Sequence, residues 1–297
     1  MPSTVTSRRL VALLPGLLLV VLGAVGFGAL LDAVSEGDDL SGLDQPVLEW
    51  LADHRYDWLT TTFTAITTVF GPYVLPVLVA VGCGIWGAVT RRWRDPVMLV
   101  GAMLLSVALS TAIKALVARP RPADELQTVP GVESSFSFPS GHTIGAATLV
   151  LVGGYLLWRE VRTRRFFVLW SVVSAVVVLV VAASRLYLGY HFVTDVLAGI
   201  CLAVVTLGVV VGVDRFRGAG VGARHGAELT EAARVEDARE ADAREADARE
   251  EHGRAREAAG TSDEPHRHDA PHPDDGPHPH DVPRPDQPRH DEGPSSR

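Results

Sequence analysis

This 297-residue chain is poor in several features that define common protein classes. It has only two cysteines, Cys83 and Cys201, and both lie within apolar segments, so a disulfide framework is not indicated. Basic residues interleaved with aromatics, the pattern of a nucleic-acid-binding surface, do not occur, and we expect no nucleic-acid partner. The sequence also has no P-loop and no cluster of carboxylates suited to magnesium, so it predicts no cofactor and no catalytic metal.

Lysine is the scarcest charged residue, because Lys114 is the only one in the chain. The remaining basic residues counted with it are all arginine, so an arginine-rich composition does not account for a lysine at this position. Lys114 is therefore a candidate for site chemistry. A chance remnant is the alternative, and this residue alone does not decide between the two.

Charge and hydrophobicity divide the chain into two parts. The formal net charge is −8, yet residues 219–297 contain twenty acidic and eleven basic residues, so the preceding residues are almost neutral. Apolar residues are concentrated before Arg217. We predict a membrane domain over residues 1–217 and a cytoplasmic low-complexity tail over residues 218–297.

Apolar runs of membrane-spanning length recur through the first part. The run from Leu10 to Leu31 exceeds the apolar core of a signal peptide, so we interpret it as a retained first helix. A later run is broken at Gly71-Pro72, which predicts that residues 59–70 enter at an angle to the span that follows. The predicted fold is all-α, a six-transmembrane helical bundle with spans at about 10–31, 72–90, 96–117, 142–158, 166–183 and 189–213.

Arginine clusters predict the orientation of this bundle. Arginine-rich loops stay in the cytoplasm, and four clusters fall on one side of the six-span arrangement: 8–9, 91–94, 159–165 and 215–217. The acidic connection 32–57, in which we expect a short interfacial helix, falls on the other side with the loop 118–141 and the turn 184–190. We therefore predict a plasma-membrane protein with cytoplasmic N- and C-termini and an extracytoplasmic site.

The tail has two compositions. Residues 231–257 repeat Asp-Ala-Arg-Glu-Ala and place Glu four positions before Arg, which favours an exposed charged helix without an apolar face. Residues 261–297 are rich in His, Pro and Asp, a composition typical of disorder. Histidine-rich tracts bind zinc or nickel loosely, so weak divalent metal binding is one hypothesis for the tail, and a solvated segment without a defined site is the other.

The stretch from Ser184 to Asp195 is polar although it lies between apolar runs. Arginine, histidine and aspartate are costly beside a membrane helix unless they are paired or line a wet cavity. His191 and Asp195 are four residues apart, so on a helix the carboxylate would reach the imidazole. A nucleophilic or basic histidine is oriented in this way.

Cations are predicted to gather at the same face. Lys114, Arg121 and Arg185 would surround a small volume, and a multiply charged anion such as phosphate would neutralise them well. Arg119 repeats the Arg-Pro pattern of Arg121-Pro122 but lies off the spacing from the lysine, so we expect it to contact lipid headgroups instead.

A helix predicted to begin at Ser140-Gly141 adds backbone N–H groups and a helix dipole that suit the same anion. His191 is suited to attack phosphorus, and His142 to protonate the leaving oxygen, a role worth about 10²–10⁴ in rate. Because that proton must be present, we expect kcat to be highest at acidic to neutral pH. Phosphoryl transfer by these groups needs no metal, since cations and amides can stabilise its spread charge.

These motifs resemble the three signature motifs of the type 2 phosphatidic acid phosphatase (PAP2) family, membrane lipid phosphate phosphatases related to vanadium haloperoxidases. The resemblance covers roughly residues 10–213 and not the tail. It rests on Lys114-x6-Arg121-Pro122, Pro139-Ser140-Gly141-His142 and Ser184-Arg185-x5-His191-x3-Asp195.

The resemblance implies metal-independent dephosphorylation of a lipid phosphate or pyrophosphate, either phosphatidic acid-like or undecaprenyl pyrophosphate-like. It implies a phosphohistidine on His191, with Asp195 as its partner and His142 as the acid. The residues that it implies for phosphate binding are Lys114, Arg121, Ser140, Gly141 and Arg185.

Two other functions remain open. A lipid headgroup phosphotransferase would use the same site and pass the phosphoryl group to an alcohol rather than to water. The non-enzyme alternative is a membrane anchor for a metal- or partner-binding tail. Deletion of residues 219–297 would abolish the function of such an anchor, whereas a phosphatase would keep its turnover.

Overall fold

The protein is helical in the part that the computed structural model describes, residues 3–37, 41–129, 131 and 133–260. No strand occurs in these residues, which confirms the all-α prediction. The eight α-helices are α1 (Ser3–Glu36), α2 (Asp44–Asp53), α3 (Asp57–Val69), α4 (Val74–Thr90), α5 (Arg94–Val117), α6 (Gly141–Val161), α7 (Arg164–Tyr187) and α8 (Val193–Gly260).

The lengths and apolarity of these helices define a multi-pass membrane protein. Within the described residues, five helical segments are long and apolar enough to cross a bilayer, and the count rises to six if the bent pair α3 and α4 is one broken span. The pair bends by 53° at the break that contains Gly71-Pro72, where the sequence predicted a change of direction. Large apolar side chains such as Leu18, Val89 and Leu179 are exposed on the outer surface, as lipid-facing residues are.

Two helix boundaries near the polar stretch differ from the prediction. α7 continues to Tyr187, so Arg185 lies in its last turn rather than in a following loop. α8 begins at Val193 rather than at 189, because Gly189 adopts a left-handed φ of 79° and interrupts the helix. A Cβ atom there would lie 1.8 Å from the carbonyl oxygen of Leu126, so the turn requires glycine. His191 therefore precedes the helix that carries Asp195.

Helices α1 and α8 pack closely through glycine. A Cβ atom on Gly16 would lie 2.6 Å from the carbonyl oxygen of Gly208, and one on Gly208 would lie 2.7 Å from the carbonyl oxygen of Gly16. Farther along α1, a Cβ atom on Gly23 would lie 2.6 Å from the carbonyl oxygen of Cys201. Small residues at such contacts let the backbones of two membrane helices approach, so van der Waals packing holds this pair.

An ion-pair network joins the first turn of α5, the last turns of α6 and the interior of α8. Arg159 donates to Asp95 and to Asp214, and both carboxylates are buried. Arg94 Nη2 lies 2.6 Å from Asp214 Oδ1, and the Tyr155 hydroxyl donates to Asp214 Oδ2 at 2.8 Å. Removing one partner from a buried pair costs about 3–5 kcal/mol, so the network fixes the three helices relative to one another.

The chain divides into two compact units, Met1–Thr230 and Glu231–Arg297. The second unit contains the last part of α8, and this part of the helix has no apolar face. Residues 261–297, with the histidines for which weak metal binding was one hypothesis, lie outside the described residues. Three exposed ion pairs at i,i+4 spacing occur along the helix, as the repeat predicted: Glu240 with Arg244, Glu245 with Arg249, and Glu250 with Arg254.

Candidate active site

Four helix ends bring the three motifs together. Lys114 lies in the last turn of α5 and Arg185 in the last turn of α7. Ser140 and Gly141 begin α6, and Asp195 lies in the first turn of α8. In α5 and α6 the Arg159 network lies at the opposite end of the helix, at a rise of about 1.5 Å per residue. The bundle thus gathers at one end residues that are far apart in the sequence.

His191 and Asp195 form a buried pair. His191 Nδ1 lies 3.3 Å from Asp195 Oδ2, although His191 precedes α8 and does not share a helix face with the carboxylate. Asp195 Oδ2 also accepts the backbone N–H of Phe192 at 2.8 Å, the contact that an acidic residue makes from the third position of a helix. The carboxylate is fixed by this bond and orients the imidazole.

The other ring nitrogen of His191 faces a cation. Arg121 Nη1 lies 3.4 Å from His191 Nε2, and a guanidinium can only donate, so Nε2 carries the lone pair in this arrangement. Burial lowers the pKa of His191 well below its ordinary value of 6.5, and the positive charges of Arg185, Arg121 and Lys114 lower it further. The imidazole is therefore neutral at neutral pH, as a nitrogen nucleophile must be.

Two side chains outside the motifs donate hydrogen bonds to Asp195, and a third group, Asp44, holds one of them. Ser137 Oγ donates to Asp195 Oδ2 at 2.5 Å, and Arg119 Nη1 donates to Asp195 Oδ1 at 2.7 Å. Arg119 Nη2 in turn donates to Asp44 Oδ2 at 2.7 Å, and Asp44 also accepts the backbone N–H and the hydroxyl of Thr194. α2 is thereby joined to the first turn of α8.

The prediction that Arg119 contacts lipid headgroups is wrong. Its side chain is only 15% exposed, and two of its nitrogens bind the carboxylates of Asp44 and Asp195. The repeated Arg-Pro pattern did indicate that Arg119 belongs to the site. Arg121 was preferred because only its spacing from Lys114 matched the motif. Asp44 had no such signal, since it is one of eight carboxylates in the connection between the first two spans.

Lys114, Arg121 and Arg185, which we call the site cations, lie near enough to His191 for their charges to act on it. Arg185 is buried, its Nη1 donates to Thr67 Oγ1 at 2.5 Å, and its guanidinium lies 4.9 Å from the centre of the Tyr190 ring. Arg121 Nη1 donates to the carbonyl oxygen of Tyr190 at 2.7 Å. Backbone and hydroxyl contacts therefore fix the direction of both guanidinium groups.

The remaining predicted residues line the same region. The Lys114 ammonium donates to the carbonyl oxygens of Phe136 and Ser137. Ser140 is buried, and its hydroxyl accepts from Thr143 rather than from a backbone N–H of the first helical turn. Those N–H groups have no partner within the helix, so the start of α6 suits an anion.

His142 is the second residue of α6, and it interacts electrostatically with Arg185 and Glu133. Its Nε2 lies 3.5 Å from the position that a Cβ atom on Gly71 would take. The imidazole therefore lies between the bend that joins α3 and α4 and the charged groups of the site.

Glu133 is an acidic residue among the site cations that sequence analysis did not identify. Its Oε1 accepts from Arg185 Nη2, and its Oε2 lies 2.6 Å from Arg121 Nη2 and 4.0 Å from His191 Nε2. Burial alone would raise the pKa of Glu133, but the charged groups around it, Arg185 first among them, lower it to about 2. The carboxylate is therefore ionised throughout the neutral range. It also borders an open cavity of about 460 Å³ that Arg121 and Phe136 line.

A neutral, buried histidine beside three cations, at the end of a membrane bundle, suits a phosphatase: an imidazole can attack phosphorus, and cations can bind phosphate oxygens. The model of the PAP2 superfamily matches residues 95–218. This chain belongs to that superfamily and is a phosphatase of the PAP2 type.

Relatives of known activity support this assignment. The chain is 31% identical over 198 residues to phosphatidylglycerophosphatase B of Bacillus subtilis, which covers 64% of this chain and 95% of that protein. It is 27% identical over 181 residues to a lipid A 4'-phosphatase of Porphyromonas gingivalis, covering 56% of this chain and 66% of the relative. A crystal structure of the transmembrane PAP2 type phosphatidylglycerolphosphate phosphatase from Bacillus subtilis matches with a TM-score of 0.59 at 28% identity, over 66% of this chain and 95% of that chain.

Proposed function

We propose that this protein removes phosphate from a lipid phosphate or pyrophosphate through a phosphohistidine intermediate on His191, without a metal. The observation that carries the proposal is the orientation of His191, whose Nδ1 lies against Asp195 while Nε2 faces the guanidinium of Arg121. The relatives are named for phosphatidylglycerophosphate and lipid A, both lipids with phosphate groups. Phosphatidylglycerophosphate is the first substrate that we would test.

In the first step His191 Nε2 attacks phosphorus, and the bond from phosphorus to the lipid oxygen breaks. His142 gives its proton to that leaving oxygen, and Asp195 stabilises the positive charge that forms on the His191 ring. The site cations, with the backbone N–H of Gly141 at the start of α6, bind the equatorial oxygens.

In the second step the now neutral His142 takes a proton from water, and the water oxygen attacks the phosphohistidine. The bond between phosphorus and His191 Nε2 breaks, inorganic phosphate leaves, and both histidines return to their starting protonation states. If an alcohol replaced water in this step, the enzyme would be a headgroup phosphotransferase. Analysis of the products formed with and without an acceptor alcohol separates the two reactions.

The proposed location is the outer face of the plasma membrane. Arg94 and Arg159 lie at the ends of α5 and α6 opposite Lys114 and His142. Arginine-rich ends stay in the cytoplasm, so this arrangement favours an extracytoplasmic site and cytoplasmic termini.

The experiment is phosphate release by the detergent-solubilised protein in excess EDTA, from a panel of lipid monophosphates and diphosphates. We expect release to persist in EDTA and to be lost in His191→Ala, while His54→Ala, an exposed histidine outside the site, keeps parental activity. Equal activity of His191→Ala and the parent would refute the role of His191. Loss of activity in EDTA that zinc or magnesium restores would refute the metal-free mechanism.

A further inference from the structure

The carboxylate of Glu133 lies where the proposed function requires the substrate phosphate to bind. Each of its oxygens contacts one guanidinium, Oε1 with Arg185 Nη2 and Oε2 with Arg121 Nη2. Carboxylate and phosphate are recognised by the same planar pair of N–H donors, so these two arginines suit either anion.

The distance to the nucleophile shows that the two anions exclude each other. Glu133 Oε2 lies 4.0 Å from His191 Nε2. A phosphorus atom ready for attack must lie about 3–3.5 Å from that nitrogen, with its oxygens spread around it. The carboxylate and a bound phosphate would therefore overlap, and one must leave before the other binds.

The charges of the site favour an anion at this position. The site cations carry three positive charges and Asp195 one negative, while Arg119 and Asp44 compensate each other. Without an anion between the two guanidinium groups the sum of these charges is +2, and Glu133 lowers it to +1. Uncompensated buried charge is costly, so Arg121 and Arg185 favour an anion between them, either the carboxylate or a phosphate.

The surroundings of Glu133 allow its side chain to withdraw. The side chain is 20% exposed, and it borders the open cavity of about 460 Å³ described above. The next three residues, Ser134, Ser135 and Phe136, are exposed. Rotation of the side chain toward the cavity would release both guanidinium groups without a change in the helices.

We propose that Glu133 is a positioning residue that occupies the phosphate position between turnovers and competes with the product, inorganic phosphate. This inference rests on the proposed function. Its ionised state at neutral pH gives the carboxylate the charge that the exchange needs. As an internal competitor, Glu133 weakens the binding of substrate phosphate and product phosphate by the same factor. It thereby speeds product release at the expense of substrate affinity.

The test measures equilibrium binding of radiolabelled inorganic phosphate to the detergent-solubilised full chain. The variants are Glu133→Gln and, as a matched control in the same loop, the exposed Glu125→Gln. We expect Glu133→Gln to bind phosphate at least about ten-fold more tightly, since charge-assisted contacts no longer have to be broken. Glu125→Gln should bind phosphate like the parent. In kinetics, Glu133→Gln should lower KM and the inhibition constant for phosphate together.

A second variant and a thermal measurement guard against misfolding of Glu133→Gln. Glu133→Asp keeps the charge but is too short to contact both guanidinium groups, so its affinity for phosphate should lie between those of the parent and Glu133→Gln. Added phosphate should raise the melting temperature of Glu133→Gln more than that of the parent. Parental or weaker phosphate binding by both variants overturns the role of Glu133 and leaves the site assignment intact. Absence of phosphate binding by the parent and both variants overturns the proposed function as well.

Discussion

Arg119 and Asp44 provide a second layer of charge behind the pair of His191 and Asp195. Arg119 donates to both carboxylates at 2.7 Å, so it fixes Asp195 from the side opposite to the imidazole. A lysine has one nitrogen and cannot reproduce both contacts, which makes Arg119→Lys a sharper probe than removal of the charge.

We expect Arg119→Lys to lower kcat by roughly 10–100-fold with little change in KM, because a charge-assisted hydrogen bond is worth about 1.5–3 kcal/mol. The measurement is steady-state phosphate release, with the exposed Arg92→Lys as the control. A purely structural role would lower the amount of folded protein without changing the pH dependence of kcat. An unchanged kcat in folded Arg119→Lys would contradict the positioning role.

The pKa of His191 sets a second prediction, for pH dependence. His191 acts as a nucleophile only when neutral, and burial with the nearby cations lowers its pKa below 6.5. Activity is therefore retained above the lowered pKa and lost as the pH falls through it, so the acid limb of kcat/KM that belongs to His191 lies below pH 6.5. His142 must hold a proton in the enzyme–substrate complex, so kcat falls as the pH rises through the pKa that His142 has in that complex.

The variant Arg121→Gln tests the origin of that limb. It removes one of the charges that lower the pKa of His191, so the acid limb should move to higher pH. Ionisation of the substrate is the same for both proteins and cancels from the comparison. A limb at the same pH in both proteins would show that it does not belong to His191.

Individual residues differ in how well the sequence predicts their placement. The motif residues were predicted because their types and spacing match a chemical need, and the structure brings them to one end of the bundle. Glu133, Ser137 and Asp44 were not predicted, because their contacts join segments that are distant in the sequence. Their local sequence does not distinguish them from other loop residues.

At the scale of helices, apolar runs predicted the spans well because a bilayer demands about 20 apolar residues for each crossing. The helix ends were harder to predict. Hydropathy does not show that Arg185 belongs to α7, or that the turn at Gly189 delays α8 until Val193. The contact between His191 and Asp195 survives this difference because the capping contact of Asp195 with Phe192 brings the carboxylate back toward the turn.

The glycine contact between α1 and α8 gives the third prediction. Gly208→Leu places a side chain where the backbone of Gly16 lies, and overpacking of this kind costs about 1–3 kcal/mol or more. We expect a lower melting temperature in detergent and a loss of activity in proportion to the loss of folded protein. Gly101→Leu is the matched control, since a Cβ atom on this exposed glycine of α5 meets no atom within 4 Å. Equal melting temperatures of Gly208→Leu and Gly101→Leu would contradict a stabilising role for the close contact between α1 and α8.

At the scale of the whole chain, the acidic segment after residue 218 contributes none of the contacts described for the site. Deletion of residues 219–297 should therefore leave kcat and KM within about two-fold of the parent, because every residue assigned to the site lies before residue 218, and independent parts contribute additively. The measurement is phosphate release by the truncated and full-length proteins at equal concentrations of folded protein. Loss of turnover in a folded truncated protein would favour the hypothesis of a membrane anchor that acts through its tail.

Lys114 has the only side-chain amine in the chain, and it lies beside the carbonyl oxygens of Phe136 and Ser137 at the end of α5. Apart from the α-amino group, an amine-directed reagent therefore has a single covalent target in the protein. The fraction of the protein that is acylated therefore reports whether Lys114 is accessible. Ligands that bind there would protect it, so mass spectrometry of one peptide could follow occupancy of the site in intact membranes without a substrate or a purified enzyme.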